Sequence, residues 1–288
     1  MPGLRRLAAE EIAEIEPHCV GIAALHSPST GIVDFPGVAS RLAVDVQEAG
    51  GTLFLQREVL DVRSTSKTVE LDTPGGALVA SHAVFCAGAW SDRLADKSGV
   101  KLEARIVPFR GQYLRLRPEA TRLVRGLIYP VPDPALPFLG VHLTRHISGE
   151  VWLGPSALFV GARDAYRLTR VSPSDLGGVL AWPGTWRMAR RFWRSGLDEL
   201  KLAASRRGFV EACASFVPEL VADDVVGGPS GIRAQAVARD GRLVDDFLFS
   251  EAGRSLHVLN APSPAATSSL AIASVIADRV ETAFANRN

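Results

Sequence analysis

The chain has 288 residues, 47% hydrophobic and 22% charged, which allows one large or two ordinary domains and excludes disordered and fibrous classes. Thirty-two basic against 31 acidic residues leave a net charge of +1, so no overall field draws the chain to nucleic acid. Of the basic residues 28 are Arg and four are Lys, a bias that suits planar anion recognition or simply reflects genomic composition.

From the N-terminus, MPGLRRLAAEEIAEIEPH is charged throughout and no later apolar run reaches bilayer length, so neither a signal peptide nor a transmembrane helix is expected. A short acidic helix is predicted over 8–15, stopped by Pro17. Asp34 then caps a helix that starts at Pro36 and runs to 49, where Gly50-Gly51 end it. Strands are predicted over 52–56, 59–63 and 68–71, followed by the turn Asp72-Thr73-Pro74-Gly75-Gly76. The run 82–87 reads as a buried strand that Gly88 turns into a helix over 90–97, with Gly99 at its end.

From Arg105 the segments RIVPFRGQYLRLRP, GLIYP, FLGVHLTRHI and EVWLGPSA read as short antiparallel strands with Pro and Gly turns. Residues 173–217 turn helical: Pro173 stands behind Ser172, and 180–193 and 197–216 carry apolar residues three and four apart. From Gly227 short strands return in GIRAQAVA and HVLN, and a helix over 265–284 closes the chain. The fold class is α/β, α+β overall. Two α/β pieces, 1–104 and 227–288, flank an inserted segment, 105–226, of antiparallel sheet plus helices.

Three places suit chemistry. In LNAPSPAAT a strand delivers the chain to a tight turn, where Asn260 or Ser263 caps the next helix and Pro264 fits its first position. Such an N-terminus suits an anion, or a ring that becomes anionic on reduction; the alternative is an ordinary well-capped surface helix. In CAGAWSD a buried strand ends in Ala-Gly, where backbone approaches a ligand at the carboxyl end of a parallel sheet. Arg233, in GIRAQ, either clamps a substrate carboxylate by two parallel hydrogen bonds or pairs with nearby surface carboxylates.

Other residue types exclude more than they assign. Cys19, Cys86 and Cys213 are odd in number and lack CxxC spacing, so a disulfide framework and a zinc site are not expected. Cys86, in the run Ala83-Val84-Phe85-Cys86, reads as a small buried hydrophobe in a reduced, cytoplasmic protein. No His shows ligand spacing, and Asp245-Asp246 read as solvated loop carboxylates, so no metal is expected. His142 and His146 share one strand face, which fits a base in a cleft or a solvated face. Trp182, Trp186 and Trp193 lie among Arg187, Arg190, Arg191 and Arg194, either packing a helix on a sheet or laying it on anionic membrane. No GxGxxG follows a strand.

The segments SPSTGIVDFPGVASRLA, VFCAGAWSDRLA, RIVPFRGQYLRLRP, LIYPVPDPALPFLGVHLTR, GIRAQAVARDGRLVDDF and HVLNAPSPAATSSLAIA resemble the L-2-hydroxyglutarate oxidase (dehydrogenase) family. That family stands in the FAD-dependent oxidoreductase superfamily with D-amino-acid oxidase and glycine oxidase. The resemblance implies a Rossmann-like FAD-binding domain with an inserted substrate domain. In the family, PGLRRLAAEEIAEIEPH lies inside the chain, so a βαβ unit of roughly 100 residues with the glycine fingerprint is expected to be absent, leaving that domain incomplete. The isolated chain is then expected to be marginally stable and aggregation-prone.

The resemblance further implies FAD-dependent oxidation of L-2-hydroxyglutarate to 2-oxoglutarate, with oxygen or the respiratory chain as electron acceptor. It places the backbone of Val59, with Ala87, Gly88 and Gly231, near FAD. It lays the turn Asn260, Ala261, Pro262, Ser263, Pro264, Ala265 and Ala266 along the isoalloxazine ring. For the dicarboxylate it offers Arg233, then Arg110, Tyr113 and His142 as clamps, and as the base His257 or His142, or a histidine in the absent N-terminal part. Peripheral contact with the inner face of the membrane stays open. The alternatives are a non-catalytic fragment without FAD, or an FAD-dependent oxidase of another small hydroxy or amino acid.

Overall fold

A computed structural model describes residues 3–132, 140–262 and 265–285. Strand β1 (Arg5–Ala8) leads into helix α1 (Ala9–Ile15) and pairs antiparallel with β2 (Ala23–His26). Helix α2 (Phe35–Glu48) ends where Gly50 takes a φ of +85°, a conformation glycine adopts without a Cβ penalty. Strands β3 (Asp61–Ser64), β4 (Val69–Asp72) and β5 (Leu78–Ala80) form an antiparallel meander. Strand β6 (Ala83–Phe85) is followed by a 3₁₀ turn at Gly88–Trp90 and by α3 (Ser91–Lys97).

A long strand, β7 (Ala104–Leu116), opens the middle of the chain, followed by β8 (Leu127–Ile128), β9 (His142–Arg145), β10 (Val151–Gly154) and β11 (Leu158–Phe159). Helix α4 (Pro173–Leu180) starts where the Ser172 hydroxyl accepts the Asp175 N–H, with Pro173 in the first turn. Helices α5 (Pro183–Ala204) and α6 (Arg206–Ala214) follow, the second capped by Ser205. Strand β12 (Val225–Ala238), β13 (Leu248–Ala252), β14 (Ser255–Asn260) and helix α7 (Ser269–Ala285) complete the order.

The chain groups into two compact units. The first holds Met1–Asp34, Arg110–Phe159 and Phe192–Gly231. The second holds Phe35–Phe109, Val160–Arg191 and Ile232–Asn288. The sequence grouping differs in two places, and the contacts give the reason. The early segment joins the first unit because Glu16 accepts the N–H groups of Arg125 (2.9 Å) and Gly126 (2.6 Å), and the Val20 N–H reaches Phe216 O. Residues 160–191 join the second unit, where Trp182 is buried, its Nε1–H donates to Val237 O at 2.9 Å, and the Arg239 and Arg105 guanidinium carbons lie 4.5 and 5.8 Å from its ring centre.

The six-stranded sheet runs β11-β7-β10-β9-β8, with β12 also on β7. A three-stranded sheet runs β13-β14-β6, in which β14 lies parallel to β6 with His257 beside Phe85.

Several expectations fail for physical reasons. Residues 52–56 form no strand: among the described residues no strand pairs with them, and Phe54 and Leu55 stand exposed. Of the short strands expected after Gly227, GIRAQAVA lies within the longer, 14-residue β12, for which β7 offers a long ladder, and HVLN within β14. The last helix begins at Ser269 rather than at 265, behind a single 3₁₀ turn at Ala266–Ser268. Cys86, expected in the interior, is exposed, since β6 lies at the edge of its sheet. Among the described residues no helix is long and apolar enough to cross a membrane.

Candidate functional site

In the second unit, parallel strands β6 and β14 end side by side, the arrangement that leaves a ligand crevice beyond the carboxyl ends of strands. After β6 the chain bends through Ala87 and Gly88, the latter at a φ of +53°. A Cβ added at Gly88 would meet nothing within 4 Å, so bare backbone borders open space. A cavity of about 160 Å³ opens here. Cys86, Gly88 and Ser91 line it from one segment, and Val258 to Ala261 from the other. Ile106 of β7 and Ala234 of β12 complete the apolar lining.

Two sets of buried polar contacts fix these walls. Asn260, 4% exposed, donates from Nδ2 to Val244 O (3.2 Å) and Asp246 O (2.7 Å), which ties the end of β14 to the preceding loop. Its side chain is therefore not a cap for α7, which starts nine residues later at Ser269. On the other wall, Arg163 pairs with Asp92 through two contacts, Nη1–Oδ1 at 2.5 Å and Nη2–Oδ2 at 3.0 Å. The same guanidinium also donates to Ala89 O inside the 3₁₀ turn.

In the first unit, one face of the sheet packs into the core through Leu114, Leu116, Leu143, Val151 and Leu153. Residues of the alternate phase point the other way: Tyr113, Trp152 and His142. Gly154 pairs with His142, and a Cβ on Gly154 would lie 2.8 Å from Tyr113 Cδ1. The Tyr113 ring thus occupies the space a side chain at 154 would need. His142 stacks on Tyr129 at 4.5 Å, and Tyr113 stands 5.8 Å from Trp152. His142 Nδ1 lies 3.0 Å from Gly140 O, and a carbonyl only accepts. In the neutral ring the proton therefore sits on Nδ1 and the lone pair on Nε2. Burial pushes the His142 pKa below its ordinary value, against a smaller upward pull from that hydrogen bond.

The residues singled out in the sequence are distributed unevenly over these places. Gly88, Asn260 and Ala261 meet at the cavity, with Ala87 at its turn. Tyr113 and His142 share the sheet face. Arg110, three positions from Tyr113 on β7, is buried at 7% exposure and belongs to the opposite phase of the strand. Arg233 lies half-buried on β12, and desolvation lowers the pKa of both arginines. Val59 packs its side chain against Val62, Val69 and Phe85, and Gly231 is exposed on β12. Pro262, Ala265 and Ala266 lie in the turn outside the cavity lining, and Ser263 and Pro264 lie outside the described residues.

His257 is beside the cavity in sequence but not in its lining. Its ring is fully buried, stacked on Phe85 at 4.6 Å and 7° between planes, and neither nitrogen has a hydrogen-bond partner. Burial pushes its pKa down to about 4. Cys86 and Ser91 lie in the CAGAWSD segment without having been named as site residues, and Ile106, Ala234 and Val258 are cavity residues that the sequence did not single out. A strand ending before Ala-Gly flags Cys86 and Ser91, whereas Ile106 and Ala234 are ordinary apolar strand residues without a local signal.

The sequence pattern of the FAD dependent oxidoreductase (DAO) family matches residues 1–279. The mitochondrial L-2-hydroxyglutarate dehydrogenase of Nematostella vectensis is 46% identical over 292 residues, covering 95% of this chain and 64% of that protein. The L-2-hydroxyglutarate dehydrogenase of Indibacter alkaliphilus is 40% identical over 279 residues, covering 96% of this chain and 70% of that one. The chain thus spans about two thirds of the length of these relatives. Among solved structures, glycine oxidase from Geobacillus kaustophilus superposes with a TM-score of 0.66 at 24% identity, over 97% of this chain and 63% of that one.

The cavity fits the cofactor of that family. A bare glycine backbone, an apolar lining and two polar residues, Ser91 and Asn260, suit one edge of a planar heteroaromatic ring. By its matched sequence and its α/β fold, the chain belongs to the FAD dependent oxidoreductase family, and within it stands with the L-2-hydroxyglutarate dehydrogenases.

Proposed function

We propose that this protein oxidises L-2-hydroxyglutarate to 2-oxoglutarate. The observation that carries the reading is the 40% identity, over 96% of this chain, to a protein named for that substrate. FAD, when bound, supplies the hydride acceptor. His142 takes the proton of the α-hydroxyl at Nε2, the nitrogen left with the lone pair by the Nδ1 contact to Gly140 O. Its lowered pKa keeps the ring neutral and ready at physiological pH. Tyr113 offers its hydroxyl to the substrate, and Arg233 supplies positive charge for a carboxylate, while Arg110 points from the opposite phase of β7. His142 is preferred to His257 as the base because the His257 ring is stacked on Phe85 and is not among the cavity-lining residues.

Oxygen or a respiratory-chain carrier takes the electrons, and the protein works in the cytoplasm. The Trp186 side chain, 60% exposed beside Arg187, Arg190 and Arg191, meets the inner face of an anionic membrane. Flotation with anionic against zwitterionic vesicles checks that contact, and its failure leaves the oxidation reading intact.

The main test is optical. The purified protein at its natural length, loaded with FAD, is mixed anaerobically with L-2-hydroxyglutarate. Bleaching of the flavin band by the L isomer, and not by D-2-hydroxyglutarate or glycine, is the expected result. Absence of bleaching with every 2-hydroxy acid, or equal bleaching by glycine, overturns the substrate assignment. His142→Gln should slow the bleaching about 10²- to 10⁴-fold, and the wild-type rate should fall only below about pH 6.5.

A further inference from the structure

We propose that the buried Arg163–Asp92 pair is a positioning device for the cofactor: it holds the turn Gly88–Ser91 in its binding shape and so sets FAD affinity without touching FAD. The proposal rests on the flavin reading of the cavity and deepens it. Both side chains are almost fully buried, at 3% and 2% exposure. The bidentate contact fixes the guanidinium plane, and each partner then reaches one more group. Arg163 donates to Ala89 O, within the turn whose neighbours Gly88 and Ser91 line the cavity. Asp92 Oδ2 accepts the Ile106 N–H at 3.2 Å, and Ile106 lines the cavity from β7. One ion pair therefore spans two cavity walls.

Arg163 is itself held. Asp175 accepts the Arg163 backbone N–H at 3.1 Å, and Arg93 lies 2.6 Å from the same carboxylate. Two cations and two anions balance within this network. A buried ion pair is a poor source of stability, because desolvation offsets the Coulomb gain and apolar residues of similar volume often serve as well. Apolar residues cannot, however, hold a backbone carbonyl at 89 and a backbone N–H at 106. That is the part of the arrangement only the charged pair supplies. Gly88, with no Cβ to restrict it, leaves the turn free to relax once this grip is lost.

The test uses the protein at its natural length and compares wild type, Arg163→Lys and the double variant Arg163→Met/Asp92→Leu. FAD Kd is read from quenching of flavin fluorescence, and the melting temperature from the FAD-stripped protein. The double variant should melt within about 3 °C of wild type and bind FAD at least tenfold more weakly, with an altered visible flavin spectrum. Its KM for L-2-hydroxyglutarate at saturating FAD should stay as in wild type. Arg163→Lys, with one point charge for two acceptors, should fall between. Wild-type FAD affinity and spectrum in the double variant overturn the proposal. So does a loss of affinity matched by an equal loss of FAD-free stability, which assigns the pair to folding alone. If the double variant fails to fold, a folded Arg163→Lys with unchanged Kd overturns it as well. Wild-type protein that binds no FAD removes the cavity reading beneath it, an outcome the other arms do not produce.

Discussion

In the first unit one apolar cluster runs without a break from Leu114 and Leu143 through Phe209 and Val217 to Val225, and both sheet and α6 contribute to it. The second unit, among its described residues, divides its interior into small groups. Val62 packs with Val69 and Phe85, Ala95 with Leu102 and Leu259, Ala104 with Ile106 and Ala236. Its helix α2 buries no residue, and the described side chains of α7 stand exposed or half-exposed, Leu270 at 67%. The cavity lies in this second unit. The contrast teaches that the cavity walls, set among small apolar groups, carry polar grips of their own, Arg163 on Asp92 and Asn260 on Val244 and Asp246.

The comparison breaks most readily in the first unit's core. Phe209, 1% exposed, should cost about 4 kcal/mol on Phe209→Ala, read by urea unfolding. A loss under about 1 kcal/mol would mean that the continuous cluster is not what stabilises that unit. Next in size, Gly154→Ala places a Cβ 2.8 Å from both Tyr113 Cδ1 and Gln112 O at a φ of +145°, for about 3 kcal/mol of strain and overpacking. The Tyr113 ring must move, so KM for the substrate should rise as well; an unchanged KM would separate Tyr113 from binding.

In the second unit the prediction is one of pH. His257 in the folded chain titrates near 4, and the unfolded residue near 6.5. On acidification the unfolded chain takes the proton first, so stability is complete above about pH 6.5 and is lost as the pH falls toward 4, by about 3 kcal/mol in all. His257→Leu should flatten that dependence; a profile as steep as wild type would place the acid sensitivity elsewhere. Smallest of all, Leu270→Lys should shift the folding free energy by no more than about 0.5 kcal/mol. The same substitution should reduce light scattering by the 288-residue chain, whose exposed α2 and α7 surfaces favour self-association. Unaltered scattering would show that those faces do not drive it.

Much of the fold was legible because local chemistry agreed with tertiary structure. Ser172-Pro173 opens α4, Ser205 caps α6, and Gly50 ends α2, each a signal carried by one or two residues. Residues 52–56 read as a strand because pleat-compatible side chains say nothing about whether a partner ladder exists. Helix α7 starts four residues later than the 265 that the Pro264 signal implies, because the turn before it, Ala266–Ser268, is 3₁₀, and Asn260, a fit cap by type, has its amide taken by the Val244 and Asp246 carbonyls. At the site, Gly88 and Asn260 showed themselves as turn residues after strands. The Arg163–Asp92 pair, 71 positions apart, did not: in a chain with 28 arginines no spacing distinguishes one whose guanidinium is buried from the rest.

Trp182 turns the second unit into its own optical reporter. Its indole is 4% exposed, hydrogen-bonded to Val237 O and bordered by two guanidinium groups, so it should emit at short wavelength. Trp186 and Trp193, largely in solvent, supply a red background that unfolding scarcely alters. The blue-edge emission lost in Trp182→Phe, as distinct from that of half-buried Trp152 in the first unit, thus follows the loosening of the cavity-bearing unit, without a label and before any cofactor is added.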